Sequence, residues 1–396
     1  MINPYTFYIV GFLFSLLVYQ LGWSEAYPLL SGSLLGFLSI TIAVHAFMSL
    51  RWKNDRKQKN TLTLPILSAK INPWLVTGLL YLFWAADFIY EGGIPLFKIL
   101  LNLPYNYTLF GVPTLHVFTV TFTSFYCIYL LHIYLLQKNK IILLIYVINM
   151  TSAILIYSRS MLFFNLASSF FLYLLHLEKL PHKKLLLLVP VIVVLFYFFG
   201  VVGTVRVSFG SDDHYDQNSF LETGKATDQF RNSNIPREFF WPYIYISSPV
   251  ANLQANINTY TVLPITPKRV LEYINNEWLF ESISKRINAM AGVEREKENT
   301  IREPFNVSTV YSSGYSYLGW SGIIAMSCFV LLLPFFYNKA MNNSPYQSIS
   351  IAILCTTYLF LAYDNTIRLM ALGFQLVYPL VVPFVENRLS KIKFLR

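Results

Sequence analysis

Apolar residues gather into ten long runs, at about 5–22, 28–50, 72–89, 112–136, 141–157, 161–177, 185–203, 315–336, 348–363 and 367–385. About 20 consecutive apolar residues cross the hydrocarbon core of a bilayer, so each run predicts a transmembrane helix. The runs within 141–177 and at 348–363 lie at the lower limit of length. The first run has no Lys or Arg before it and no small-residue cleavage site after it, which reads as a retained helix and not a signal peptide. The pattern divides the chain into seven membrane helices over 1–203, a large loop over 204–310, and three further helices with a tail over 311–396. The predicted class is therefore an all-α integral membrane protein of about ten transmembrane helices.

Composition narrows the class in the same direction. The chain is 55% hydrophobic and 17% aromatic but only 13% charged, with a mean hydropathy of +0.49, whereas soluble domains carry about 25% charge. An ordinary soluble enzyme, a disordered chain and a disulfide scaffold are excluded on these grounds. Cys127, Cys328 and Cys355 all fall inside apolar runs without metal-ligand spacing. They are expected to be small buried hydrophobes.

The net charge of +10 is a matter of sidedness. Sixteen bases (Arg51, Lys53, Arg56, Lys57, Lys59, Lys70, Lys138, Lys140, Lys179, Lys183, Lys184, Lys339, Arg388, Lys391, Lys393 and Arg396) occupy the tail and alternate connections, against Asp55, Glu178 and Glu386. The positive-inside rule makes those segments cytoplasmic, with both termini inside. A nucleic-acid surface would need the bases clustered on a soluble face, so no nucleic-acid partner is expected.

The connection 204–310 then lies outside and holds 13 of the 20 acids with 11 bases. A loop this long in a compact protein is usually functional. Thr266 followed by Pro267 reads as an N-cap with proline at the first helical position. Val270, Ile274 and Trp278, with Leu271 and Ile283, predict one amphipathic helix at about 267–290. The aromatic stretch 236–253, interrupted by three prolines, suits an interfacial or re-entrant segment.

No soluble-enzyme motif is present. What stands out is charge at the external boundary. Arg159 sits in the tight turn SRS (158–160), either as a snorkelling anchor or as an anion clamp. Arg368 follows Asp364 by four residues, which suits a local ion pair. Arg206 stands where the long loop begins, Arg302 and Glu303 where it ends, and Arg231 and Arg237 within it. Arginines converging on one surface suit phosphate or diphosphate, because guanidinium bonds such oxygens in bidentate fashion. Asp87 and Glu91 lie one helical turn apart at the end of the third run, and a carboxylate at that depth must be hydrated, paired or functional. His116 opens the fourth run. His214, in DDHYD, reads as a solvated turn.

Taken in order, several stretches resemble the Wzy-type oligosaccharide repeat-unit polymerases: DFIYEGGIPLF (87–97) with FGVPTLHVF (110–118), SRSMLF (158–163), YIYISSPVANLQ (243–254) and NVSTVYSSGYSYLGWSG (306–322). Ser316 and Tyr317 stand where the family often has an aspartate before the re-entry glycine. The resemblance implies a GT-C-like glycosyltransferase in a bacterial inner membrane. It would join undecaprenyl-diphosphate-linked oligosaccharides into O-antigen or capsule on the periplasmic face. Donor and acceptor would both be carrier-linked, and participation of a chain-length regulator stays open. On that reading Glu91, His116 and Glu303 are the candidates for the base. Arg159, Arg206, Arg237, Arg302, Asn306, Thr309 and Arg368 are the candidates for holding diphosphate or glycan. If the stretch around 302–309 is helical, Arg302, Asn306 and Thr309 share a face. Arginines can supply the charge a leaving diphosphate needs, so neither metal nor cofactor is expected. A lipid-linked O-antigen ligase uses the same donor chemistry and is the nearest alternative. A membrane acyltransferase would not explain the arginines, and a flippase or transporter would favour an internal repeat and mid-membrane acids, neither of which is seen.

Overall fold

The computed structural model describes residues 2–52, 72–101, 103, 105, 110–177, 188–208, 217–302 and 305–389, with the side chains of 188, 205–208, 217, 219 and 386–389 excepted. It is all-α. Among the described residues there is no β-strand, only an isolated antiparallel bridge between Ser24 and Ala226. The main helices are α1 (Pro4–Tyr19), α2 (Gly32–Arg51), α3 (Pro73–Tyr90), α4 (Leu115–Gln137), α5 (Lys140–Leu155), α6 (Arg159–His176) and α7 (Leu188–Ser208). After these come α8 (Phe240–Thr259), α9 (Pro267–Glu277), α10 (Glu281–Ala291), α11 (Ser312–Leu318), α12 (Trp320–Ala340), α13 (Gln347–Phe360) and α14 (Val377–Leu389). Their starts are set chemically. Asn3, Ser31, Asn72, Asn139 and Ser158 each accept a first-turn backbone N–H, satisfying donors that no helical carbonyl can reach.

Every predicted apolar run contains a helix, but not every helix has the length that the runs suggest. Among the described residues four helices are long and apolar enough to cross a membrane: α2, α3, α4 and α12. Pro4–Tyr19, Lys140–Leu155, Val189–Thr204, Gln347–Phe360 and Met370–Val385 are apolar but shorter. The difference arises because the runs include capping and turn residues that hydropathy does not separate from helix. Tyr157, for example, is counted within the run 141–157, but it adopts φ 55° in the turn between α5 and α6. Outward faces are apolar, as at Ile40, Leu50, Leu82, Leu195 and Phe336. Cys127 and Cys355 are buried as expected, but Cys328 faces outward from α12.

The short α13 explains itself by its position. It is buried along most of its length, from Ile349 to Tyr358, packed between α1 and α6. A helix enclosed by protein presents little surface to lipid and need not carry a long apolar run of its own. Its contact with α1 is backbone-close: a Cβ on Gly11 would collide with the Leu359 carbonyl.

The segment after α7 folds onto one end of this bundle. Glu25 N–H donates to the Lys225 carbonyl at 2.9 Å, Thr227 N–H to the Trp23 carbonyl at 2.9 Å and Val310 N–H to the Leu361 carbonyl at 3.0 Å. Ser31 N–H donates to Gln254 Oε1 at 2.7 Å, and Arg286 Nη2 to Thr114 Oγ1 at 2.6 Å. The connections 20–31, 110–114 and 361–369 therefore share that end. Two local expectations need correction. The stretch 236–253 is less broken than its three prolines suggest: after a short 3-10 turn at Arg237–Phe239 it runs into the regular, largely buried α8, which carries Pro249 in its interior. The expected helix at 267–290 is two helices, α9 and α10, separated at Trp278–Phe280.

Candidate functional site

The loop meets the bundle on a single carboxylate. Glu277 ends α9 and is 0% exposed. Its Oε1 accepts from Arg295 Nε at 3.2 Å and Nη2 at 3.0 Å, and from Ser313 Oγ at 2.6 Å. Its Oε2 and its backbone carbonyl accept from Asn365 Nδ2 at 3.2 Å and 2.8 Å. Three stretches distant in sequence are thereby joined: the segment around Arg295, α11, and the 361–369 turn. Arg295 also lies 3.7 Å from Glu298.

Arg368 completes the cluster in an unusual state. It is 7% exposed, and among the described residues its side chain makes no hydrogen bond or ion pair; Nε is buried without a partner. The expected ion pair with Asp364 is not formed within 4 Å, although the Arg368 charge still acts on Asp364 and Glu281. A buried guanidinium nitrogen left without a partner is costly, so its retention points to a site. Burial pushes the Asp364 carboxyl above its usual range, with Arg368 pulling against it. Burial pushes Glu298 up to about 7, aided by Glu277 and Asp364 and opposed by Ser312 and Arg295. Burial acts on Glu281 too, but the Lys285 hydrogen bond and charge, with Arg368 and Arg295, hold it below its usual value.

The scaffold is built from buried amides and one buried arginine. On α8, Asn252 Nδ2 donates to the carbonyls of Phe305 at 2.6 Å and Val307 at 2.7 Å, while its Oδ1 accepts from Ile301 N–H at 2.9 Å. One turn on, Asn256 Nδ2 donates to the Ser312 carbonyl at 2.9 Å, and Oδ1 accepts from Asn299 N–H at 2.9 Å. These two residues strap 299–312 along α8. Arg269 donates to the Tyr317 and Ser316 carbonyls at 3.1 and 2.9 Å, capping α11, and pairs with Glu296 at 2.8 Å. Gly319, at φ 61°, turns the chain from α11 into α12. As expected, Thr266 caps α9, accepting from Arg269 N–H. The fully buried face of α9 is Arg269, Tyr273, Asn276 and Glu277. Val270, Ile274 and Trp278 are half-buried against the cluster of Tyr273, Tyr317 and Leu318, whereas Leu271 and Ile283 are exposed.

The residues singled out from the sequence divide into groups. Asp87, Glu91 and His116 come together: Asp87 is fully buried, His116 Nδ1 lies 2.9 Å from Asp87 Oδ2, and Val112 N–H donates to Asp87 Oδ1 at 2.9 Å. Glu91 Oε1 accepts from Gly111 N–H at 2.9 Å. These acids hold the turn that leads into α4. Arg159 opens α6, half-buried, with no hydrogen bond or ion pair among the described residues. Arg237 is exposed and donates to Asn218 Oδ1 at 2.8 Å. Arg302 Nη1 caps the helix Gln217–Thr223 through the Thr223 carbonyl at 2.5 Å. The segment 305–309 is not helical, so Arg302, Asn306 and Thr309 share no helix face. Asn306 is exposed and Thr309 buried. Glu303, the Arg206 side chain and the turn around His214 lie outside the described residues. Among the described residues no group of three or more His, Cys, Asp or Glu is placed to hold a metal.

Sequence reasoning passed over Glu277, Arg295, Glu298 and Asn365. The available signal was the spacing 269, 273, 276, 277, which places a Glu and an Arg on the same face as a tyrosine. No family model matches the chain, and neither a curated protein nor a solved structure matches it.

Proposed function

We propose that this protein is a Wzy-type polymerase of undecaprenyl-diphosphate-linked repeat units, in a bacterial inner membrane with both termini cytoplasmic and 204–310 periplasmic. On this reading the shorter apolar helices also traverse the membrane, in a GT-C-like arrangement of about ten spans. The observation that carries the reading is Arg368, buried with its Nε unpartnered, acting on Asp364 and Glu281 and carried on the turn that Asn365 ties to Glu277 at the junction of the loop and the bundle. A lipid-borne substrate presents its sugar at such a junction. The resemblance of 87–118, 158–163, 243–254 and 306–322 supplies the reaction class.

The step is a displacement at the anomeric carbon of the donor. The acceptor hydroxyl oxygen forms the new bond to that carbon and its proton passes to a carboxylate. The bond from carbon to the diphosphate oxygen breaks, and its electron pair leaves with undecaprenyl diphosphate. A base works best when its pKa is near the ambient pH, which Glu298 satisfies. Arginine stabilises the departing anion; one well-placed donor is worth roughly 3–4 kcal/mol in a transition state. Deleting the gene tests the function. A single repeat unit on the lipid core is the expected result. Loss of all surface glycan would instead mark a ligase or flippase, and unchanged polymer would reject the proposal.

A further inference from the structure

The charges at the loop–bundle junction are a poor match for a diphosphate. Glu277, Glu298 and Asp364 face two guanidinium groups there, and one of these, Arg295, is already bonded to Glu277. A dianion entering this cluster would meet more carboxyl groups than uncommitted cations. What the cluster leaves open is neutral hydrogen-bonding capacity. Arg368 Nε and Asn365 Oδ1 are buried without a partner, and Ser312 Oγ, whose hydrogen bond acts on Glu298, keeps accepting capacity. The first is a donor and the other two accept. That mixture complements adjacent sugar hydroxyls, each of which both donates and accepts. Glu298 stands at the rim, 20% exposed and 3.7 Å from Arg295, where a hydroxyl can reach it.

Arg159 has the opposite character. No carboxylate pairs with it, and it opens a helix of 18 residues, whose N-terminal end favours negative charge. The two places are neighbours through α6 and α13. Phe164 and Phe360 meet with ring centroids 5.1 Å apart, and from that contact α6 runs back to Arg159 while α13 runs on to Asp364, at the same end of the bundle.

We infer that the cluster of Glu277, Glu298, Asp364, Asn365 and Arg368 is the acceptor subsite and takes a neutral, hydroxyl-rich sugar, while the diphosphate of the donor is held at Arg159. This rests on the polymerase reading. It moves Arg368 from the diphosphate to the acceptor. Glu298 receives the proton of the attacking hydroxyl, and the electron pair of the broken bond leaves on the diphosphate at Arg159.

The test uses the purified full chain in nanodiscs with two probes. One is undecaprenyl diphosphate without sugar. The other is the repeat-unit oligosaccharide released by mild acid from the host's own lipid-linked pool. Arg368→Gln is expected to weaken the oligosaccharide tenfold or more and to leave undecaprenyl diphosphate within about twofold, since one buried hydrogen-bonding group is lost. Arg159→Gln is expected to do the reverse. Should Arg368→Gln misfold, Ser312→Ala gives the milder version, about threefold on the oligosaccharide alone. Weakening of undecaprenyl diphosphate by Arg368→Gln or Ser312→Ala as much as the glycan would overturn the inference and make the cluster a phosphate site. An acidic sugar at the non-reducing end of the released unit would also overturn it. Failure of the wild-type chain to bind either probe, with unchanged polymer in the deletion strain, removes the polymerase reading itself and is distinguishable from both.

Discussion

Glu277→Gln probes the junction without assuming any activity. The substitution keeps the volume of the side chain, so no cavity opens and the effect is electrostatic. In the native chain Oε1 takes three donor contacts, from Arg295 Nε, Arg295 Nη2 and Ser313 Oγ, while Oε2 takes Asn365 Nδ2. The neutral amide loses the charge assistance of these bonds and sets its own N–H groups against other donors. Removing one partner from a buried ion pair costs about 3–5 kcal/mol. Arg295 is 35% exposed and can turn toward water, which lowers the expectation to about 2–3 kcal/mol. At roughly 2 °C per kcal/mol for a large chain, the unfolding midpoint should fall by about 4–6 °C. A thiol-reactive dye in detergent reads this directly. Cys127 and Cys355 are buried and report unfolding, and Cys328, which is exposed, is first changed to Ser. The 361–369 turn, held to α9 through Asn365, should become sensitive to protease in the same variant. A midpoint within about 1 °C of the parent, with the turn still resistant, would refute the assignment of Glu277 as the joint of the three segments.

Five further outcomes are expected. Because burial holds Glu298 at about 7, its protonated form favours the folded state. That contribution is present in acid and lost as pH rises from the ordinary carboxyl range through 7, so the midpoint should fall from pH 5 to pH 8 and the slope should flatten in Glu298→Gln. If Glu298 is the base, polymerisation should rise about tenfold from pH 6 to pH 8 and lose that limb in the same variant. Arg159→Lys should yield short polymer at normal expression, since an ammonium cannot form bidentate phosphate bonds; full-length polymer on a gel would leave Arg159 as a snorkelling anchor. Asn256→Ala should destabilise by about 2–3 kcal/mol, because buried partners in Asn299 and Ser312 are left unsatisfied, measurable as earlier dye reaction on heating. Polymer formation in excess EDTA should equal that in magnesium, and an EDTA block relieved by magnesium would defeat the arginine-only account of the leaving group.

How much of this was legible before folding depends on the range of the interaction involved. Hydropathy marked every apolar helix, since burial of apolar surface is written residue by residue, and the cap at Thr266 with Pro267 was readable because capping spans three residues. Hydropathy did not mark where those helices end, which turns on caps such as Ser158 and on positive φ at Tyr157. It also could not show that α13 is enclosed by α1 and α6. At the site, Asp87, Glu91 and His116 were readable because their partners lie within one hairpin of helices. The cluster at Glu277 was not. Its contacts join residues 277, 295, 313 and 365, and nothing local tells which of 13 loop acids will be drawn inside. Arg302 shows the same point in reverse: its position beside Asn306 suggested a helix face, but the Asn252 strap holds that segment extended and turns the guanidinium onto the carbonyls of a neighbouring helix. Local sequence determined the helices and their caps, while the packing of loop on bundle decided which charges are buried, and with them where chemistry can occur.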